Sequence, residues 1–207
     1  IGIDTKKGMN ADWGDFNNDG LFDVYVTNIT DEYMREGNFL WKNNGDLTFT
    51  NTSAGWGIKV PAFSNGAAIA DIDNDGAMDL VVNNINDKAF VYRNTSRRKN
   101  NHINHYLQIE FRGDSRNVGG TGAWVDVYSN GSHQVYEHNP YRGYLSTMQP
   151  IAHFGLGQVL VIDSVIVRWP NGRKQVLRNV KADQLLKVEI TNASEPYAWM
   201  RPGPNRD

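Results

Sequence analysis

The chain has 207 residues, no cysteine and a formal net charge of -2. A charge so close to neutral excludes a bulk electrostatic attraction to nucleic acid or to an anionic membrane, and the lack of cysteine excludes disulfides and thiolate metal sites. No apolar run approaches the roughly 20 residues of a membrane span. Abundant Asn, Asp, Gly, Thr and aromatic residues without long amphipathic periodicity predict an all-β protein with many turns.

Residues 1–96 contain an internal repeat. Each copy has a strand before an Asp-rich loop, a strand after it and a further matched strand: residues 9–14, 24–27 and 39–43 in the first copy, and 66–70, 80–82 and 90–94 in the second. A turn at residues 44–46 leads the first copy into a fourth strand, which the second copy lacks. Units of about four short strands predict β-propeller blades.

The Asp-rich loops are residues 15–23 and 71–79. Each has side-chain oxygens at positions 1, 3, 5 and 9 and a glycine at position 6, and carboxylates this close repel one another unless a hard cation is bound. With a backbone carbonyl at position 7, these oxygens suit Ca2+, which takes about 6–8 oxygen ligands. The predicted ligands of two Ca2+ sites are Asp15, Asn17, Asp19, Leu21 (carbonyl) and Asp23, and Asp71, Asp73, Asp75, Ala77 (carbonyl) and Asp79.

An EF-hand is excluded, because Val26 and Val82 occupy position 12, where that loop has a bidentate Glu. Metal-free Asx turns are the alternative.

The two loops and their flanking strands resemble FG-GAP repeats, also called VCBS repeats, of integrin-type propellers, over nearly all of residues 8–95. The resemblance implies Ca2+ at positions 1, 3, 5, 7 and 9 of each loop and a partial propeller at residues 1–96. Closed propellers have about 4–8 blades, and two blades leave exposed sheet edges. We therefore expect further blades before Ile1, or another chain, to complete the open blade edge.

The composition of residues 97–105 predicts a polar linker, and that of residues 192–207 predicts an extended tail. Between them, residues 106–191 alternate polar and apolar positions in several short runs, which predict a small β-sandwich or barrel-like domain. This half resembles the ASPIC/UnbV domain. The residues that carry the resemblance are 120–123, 143–146, 153–157, 167–172 and 179–183.

No set of residues predicts catalysis. Ser146, His153 and Asp163 lack a nucleophile-elbow motif, and we expect His153 to lie in a glycine-rich turn with a structural hydrogen bond. The glycines at 119–122 precede a strand, which excludes a dinucleotide site and favours a bulge or a tight turn. Trp56, between two glycines, is the best candidate for an exposed aromatic contact with a sugar or a protein.

The prediction is a secreted, periplasmic or cell-surface calcium-binding repeat protein, without catalytic residues, that acts in adhesion, in glycan or protein binding, or in assembly. The alternatives are an accessory, non-catalytic part of a secreted polysaccharide-active enzyme and a structural subunit of an extracellular assembly. We expect no nucleic-acid partner.

Overall fold

The structure, a computed structural model, describes residues 8–29, 37–98 and 104–198. It is nearly all β, which confirms the predicted fold class. Within the described residues, no helix is long and apolar enough to cross a membrane.

The first sheet has four antiparallel strands in sequential order: β1 (Gly8–Gly14), β2 (Asp23–Asn28), β3 (Phe39–Asn43) and β4 (Phe49–Asn51). The second sheet repeats the arrangement with three strands: β5 (Ser64–Ala70), β6 (Asp79–Asn84) and β7 (Phe90–Tyr92). The Asp-rich loops connect β1 to β2 and β5 to β6. The second sheet ends at β7, as the sequence predicted, so its outer edge has no counterpart of β4 in the described residues.

The two sheets pack against each other through one apolar core. Tyr25 and Leu40 of the first sheet meet Ile69, Leu80 and Val82 of the second, and all five are at most 3% exposed. Each such side chain contributes about 1.5–3 kcal/mol by its burial. The core therefore fixes the two sheets, and with them the two loops at their ends, relative to each other.

The C-terminal half has ten further strands, three of them only two residues long. They are β8 (His105–Arg112), β9 (Trp124–Ser129), β10 (Ser132–Glu137), β11 (Tyr141–Arg142), β12 (Ser146–Thr147), β13 (Ile151–Gly157), β14 (Val161–Arg168), β15 (Arg173–Lys181), β16 (Gln184–Glu189) and β17 (Glu195–Pro196). Short 3-10 turns lie at Ser96–Arg98 and Ile190–Asn192.

These strands form a two-sheet sandwich. One sheet has the order β10-β9-β14-β15-β17 and the other the order β13-β8-β16, with β8 and β16 parallel. Their inner faces share a core around the fully buried Trp169, with Ile109, Phe154 and Val165 among its members. The separate β11-β12 hairpin contacts β5 of the repeat half, and Tyr144 N donates a 2.8 Å hydrogen bond to Asn10 Oδ1 in β1.

One local prediction is wrong: His153 lies in strand β13, opposite Gln108 of β8, and not in a turn. The glycines at 155 and 157 suggested a turn, but glycine within a strand also marks a close approach of another backbone. A short strand also forms within the predicted tail, where Glu195–Pro196 pairs with β15. Part of the predicted linker, residues 99–103, lies outside the described residues.

Candidate metal sites in the two Asp-rich loops

The two loops share the hydrogen bonds that surround their first carboxylate. In each, the carboxylate at position 1 accepts hydrogen bonds from the backbone N–H groups of positions 5 and 6. These distances are 3.2 and 2.8 Å for Asp15, and 3.0 and 2.9 Å for Asp71. Positive φ angles occur at positions 4 and 6, where Asn and Gly adopt them most readily: Asn18 (58°), Gly20 (88°), Asn74 (56°) and Gly76 (82°). The backbone of each loop therefore surrounds the carboxylate at position 1 in the same way.

The carboxylate at position 9 joins each loop to the end of the third strand. It accepts one hydrogen bond from the backbone N–H of position 2 of its loop. It accepts a second from the backbone N–H of the Asn that ends the repeated segment 39–43 or 90–94. The bonds to Asp23 come from Phe16 (3.2 Å) and Asn43 (2.9 Å), and those to Asp79 from Ile72 (3.0 Å) and Asn94 (2.7 Å). The sequence showed these Asn residues as a repeated feature but gave them no role.

The second loop brings three predicted ligands together. One carboxylate oxygen from each of Asp71, Asp73 and Asp79 lies within 4.8 Å of the other two. Asp75 lies outside this group, and its Oδ1 accepts a 3.0 Å hydrogen bond from the backbone N–H of Ala77. The carbonyl ligand predicted at Ala77 stays a prediction.

In the first loop, Asp19 occupies the same position as Asp75, and its Oδ1 accepts a 3.0 Å hydrogen bond from the backbone N–H of Leu21. The amide of Asn17 donates to Asp19 Oδ2 at 2.8 Å, so Asn17 already contacts another predicted ligand. Because position 3 is Asn here and Asp in the second loop, the first loop offers one negative charge fewer. The carbonyl ligand predicted at Leu21 also stays a prediction.

Each loop has a basic side chain from the same repeat position beside it. Lys42 Nζ lies 3.8 Å from Asp19 Oδ2, and Arg93 Nε donates to Asp73 Oδ2 at 2.6 Å. These cations offset part of the loop charge. Both side chains are partly exposed, so the free energy that each ion pair contributes is small.

Burial makes the deeper carboxylates costly to ionise. It raises the pKa of Asp15 to about 7 and that of Asp23 to about 6, and it also raises the pKa of Asp79. The neighbouring Asp19 carboxylate raises the pKa of Asp15 and Asp23 further. A bound cation reverses both effects by supplying opposite charge within contact distance. The donors are all oxygens, which suits a hard cation such as Ca2+ better than zinc or copper.

The other candidates from the sequence do not form a site together. Ser146 Oγ donates to the Tyr144 carbonyl at 2.8 Å, and Asp163 accepts from the backbone N–H of Asn130 at 3.0 Å. His153 contacts Asn18 of the first loop through Nε2, at 2.7 Å from Asn18 Oδ1. The structural hydrogen bond expected for His153 is therefore present, although its partner lies in the other half of the chain.

A cavity of about 490 Å3 opens between the two repeat sheets. Its walls are mixed: Leu40, Met78 and Leu80 are among the apolar side chains, and Trp56 and Arg93 also line it together with polar residues of the segment after β7. Trp56 is 42% exposed, so it is accessible to a partner, as the sequence predicted.

Fold and loops together define a protein in which β blades with Asp-rich loops precede a β-sandwich. The family model for the FG-GAP-like repeat matches residues 15–82, and the model for ASPIC and UnbV matches residues 113–195. The chain is therefore an FG-GAP-like repeat protein with a C-terminal ASPIC and UnbV domain.

Among curated proteins, the chain is similar to cartilage acidic protein 1 of three vertebrates. It is 29% identical to the Homo sapiens protein over 200 residues, which are 92% of this chain and 29% of that protein. It is 29% identical to the Mus musculus protein over 183 residues, which are 84% of this chain and 27% of that protein. It is 28% identical to the Xenopus tropicalis protein over 171 residues, which are 77% of this chain and 25% of that protein. The chain thus spans less than a third of the length of these relatives.

Proposed function

We propose that this chain is a calcium-binding segment of an extracellular repeat protein, with one Ca2+ in each Asp-rich loop. The observation that carries the proposal is the convergence of the Asp71, Asp73 and Asp79 carboxylates within 4.8 Å. The same hydrogen-bond pattern in the first loop supports a second site.

The role of the chain's own residues is to hold oxygen ligands close together at the end of a hairpin. Gly14 pairs with Asp23, and Ala70 with Asp79, so positions 1 and 9 of each loop are set by the strand register. Bound Ca2+ supplies positive charge that offsets the repulsion between the carboxylates. Because the unfolded chain does not hold these oxygens together, the free energy of binding adds to the free energy of unfolding.

The strength expected of such sites is compatible with the extracellular location that we propose. Extracellular calcium modules bind with dissociation constants of roughly 0.1–1 mM, a range that fits the calcium of secretions, of the periplasm or of a cell surface. No name among the matched relatives denotes a catalytic activity. We propose a non-catalytic role in adhesion, in glycan or protein binding, or in assembly.

The open edge of β7 supports a role in assembly. Within the described residues, the first sheet continues from β3 to β4, whereas the second ends at β7, and Val91 of β7 is 65% exposed. Unpaired edges attract further strands. We propose that further blades of the same protein, or another chain, cover this edge.

Calorimetric titration of the 207-residue chain with CaCl2 tests the calcium sites, with MgCl2 as the control. We expect two sites for Ca2+, and loss of one of them in Asp73→Asn with Asp79→Asn combined. Identical heats for both cations, or an unchanged stoichiometry in the double variant, would refute the proposal.

A further inference from the structure

The C-terminal domain covers both Asp-rich loops. The ring of Tyr106 lies against Gly76, so closely that a Cβ at Gly76 would collide with the ring. In the same way, a Cβ at Gly155 would collide with Asp15 Oδ2. Position 1 of the first loop and position 6 of the second are therefore in van der Waals contact with residues of β13 and β8.

The second loop is held from the C-terminal domain by hydrogen bonds as well. Gln108 Nε2 donates to Asp71 Oδ2 at 2.8 Å, and the backbone N–H of Asp71 donates to Gln149 Oε1 at 3.0 Å. Gln108 is only 6% exposed. A neutral amide orients the carboxylate without neutralising it, so the charge of Asp71 remains available to a cation. This is the arrangement by which outer groups position metal ligands.

Asn18 connects the two loops to each other and to the same domain. Its Nδ2 donates to the Gly76 carbonyl at 2.9 Å, which leaves Oδ1 as the acceptor for His153 Nε2 at 2.7 Å. His153 therefore carries its proton on Nε2 when it is neutral. Asn18 is 1% exposed, so this junction is excluded from solvent.

We propose that Gln108 and Gly155 are positioning residues of the two cation sites, so that each loop reaches its full affinity for calcium only when the C-terminal domain is packed on it. The inference rests on the proposed calcium-binding function. Gln108 fixes the orientation of Asp71, and Gly155 leaves the space that Asp15 needs. The sites are thus built by both halves of the chain, although all their predicted ligands lie in the repeats.

The test compares calcium affinities of two matched leucine variants of the whole chain, Gln108→Leu and Gln175→Leu. Both glutamines are buried in the C-terminal domain, at 6% and 8% exposure, but Gln175 lies on β15 and makes no described contact with a loop. Calorimetric titration with CaCl2 should show one site weakened about 10- to 100-fold in Gln108→Leu and unchanged affinities in Gln175→Leu. The melting temperature in EDTA reports separately on folding.

A second matched pair keeps the inference testable if Gln108→Leu does not fold. Gly155→Ala places a methyl group in the space that Asp15 occupies. In the control Gly119→Ala, no atom lies within 4 Å of the added methyl group. We expect weaker calcium binding at one site only in Gly155→Ala. Equal affinities in Gly155→Ala, Gly119→Ala and the unaltered chain would overturn the inference while leaving the calcium sites intact. Absence of calcium binding by the unaltered chain would instead overturn the proposed function, and the inference with it.

Discussion

Removing the carboxylate of Asp79 separates its structural role from the role in calcium binding that we propose for it. In the structure, Asp79 is 2% exposed and accepts hydrogen bonds from the backbone N–H groups of Ile72 and Asn94, at 3.0 and 2.7 Å. Asp79→Ala leaves both donors without this acceptor, at about 1–3 kcal/mol each. The raised pKa of Asp79 reduces that loss, because its buried charge is itself costly.

In calcium, the variant also loses the linkage free energy of one site. For a dissociation constant of about 0.1 mM and about 2 mM CaCl2, that free energy is about 1.8 kcal/mol. Urea unfolding in CaCl2 and in EDTA measures both terms. We expect the destabilisation by Asp79→Ala to be larger in CaCl2 by about this amount.

Asp114 provides the matched control for this experiment. Its carboxylate also accepts two backbone N–H groups, from Arg116 at 2.9 Å and Asn117 at 3.1 Å, but it lies in a turn outside the Asp-rich loops. Asp114→Ala should lose the same free energy of unfolding in CaCl2 and in EDTA. Equal losses in both conditions for Asp79→Ala as well would refute the reasoning.

Three further predictions concern ligand charge, pH and the cores. Asn17→Asp should strengthen calcium binding at the first loop and Asp73→Asn should weaken it at the second, because affinity rises with ligand charge; opposite or absent changes in titration would contradict the assignment of position 3. Burial lowers the pKa of His153 to about 3. His153 therefore stays neutral when folded, while the unfolded chain protonates it below about 6.5. Its contribution is complete above that pH and is lost towards pH 3, by at most roughly 1.4 kcal/mol per pH unit. When the free energy of unfolding is measured with urea from pH 7 to 4, its decrease with falling pH should therefore be smaller in His153→Gln than in the unaltered chain. An equal decrease in both would count against the buried neutral form. Trp169→Ala should cost about 3–5 kcal/mol because Trp169 is fully buried, whereas Trp56→Ala should cost under about 1 kcal/mol because Trp56 is 42% exposed; similar losses in urea unfolding would contradict the two environments.

The parts of the fold that depend on neighbouring residues in sequence were predictable. The spacing of Asp71, Asp73 and Asp79 indicated a shared site because a short loop keeps such residues together, and three of the four carboxylates do converge. The strands next to the loops followed from apolar β-branched runs such as residues 80–82. The family resemblance then placed both halves in order, as the family models confirm.

The contacts between the two halves were not predictable from local pattern. Gln108 is one polar position of an alternating strand, and nothing in its surroundings in the sequence indicates a bond to Asp71, 37 residues away. The partners Asn18 and His153 are separated by 135 residues. The glycine at 155 suggested a turn, but in the folded structure Asp15 occupies the space that a side chain at this position in β13 would fill. Such contacts depend on docking of two folded units, and one sequence does not encode them as a pattern.

The most direct test of calcium as a structural ligand is a thermal melt of the chain in about 2 mM CaCl2 and in excess EDTA, with MgCl2 as the control. Ligand binding to the folded state alone raises the midpoint by mass action. We predict a higher midpoint in CaCl2 than in EDTA, and little or no rise in MgCl2, which demands near-octahedral geometry and gives up water reluctantly. Equal midpoints in CaCl2 and EDTA, with a folded protein in both, would contradict calcium binding by the two loops.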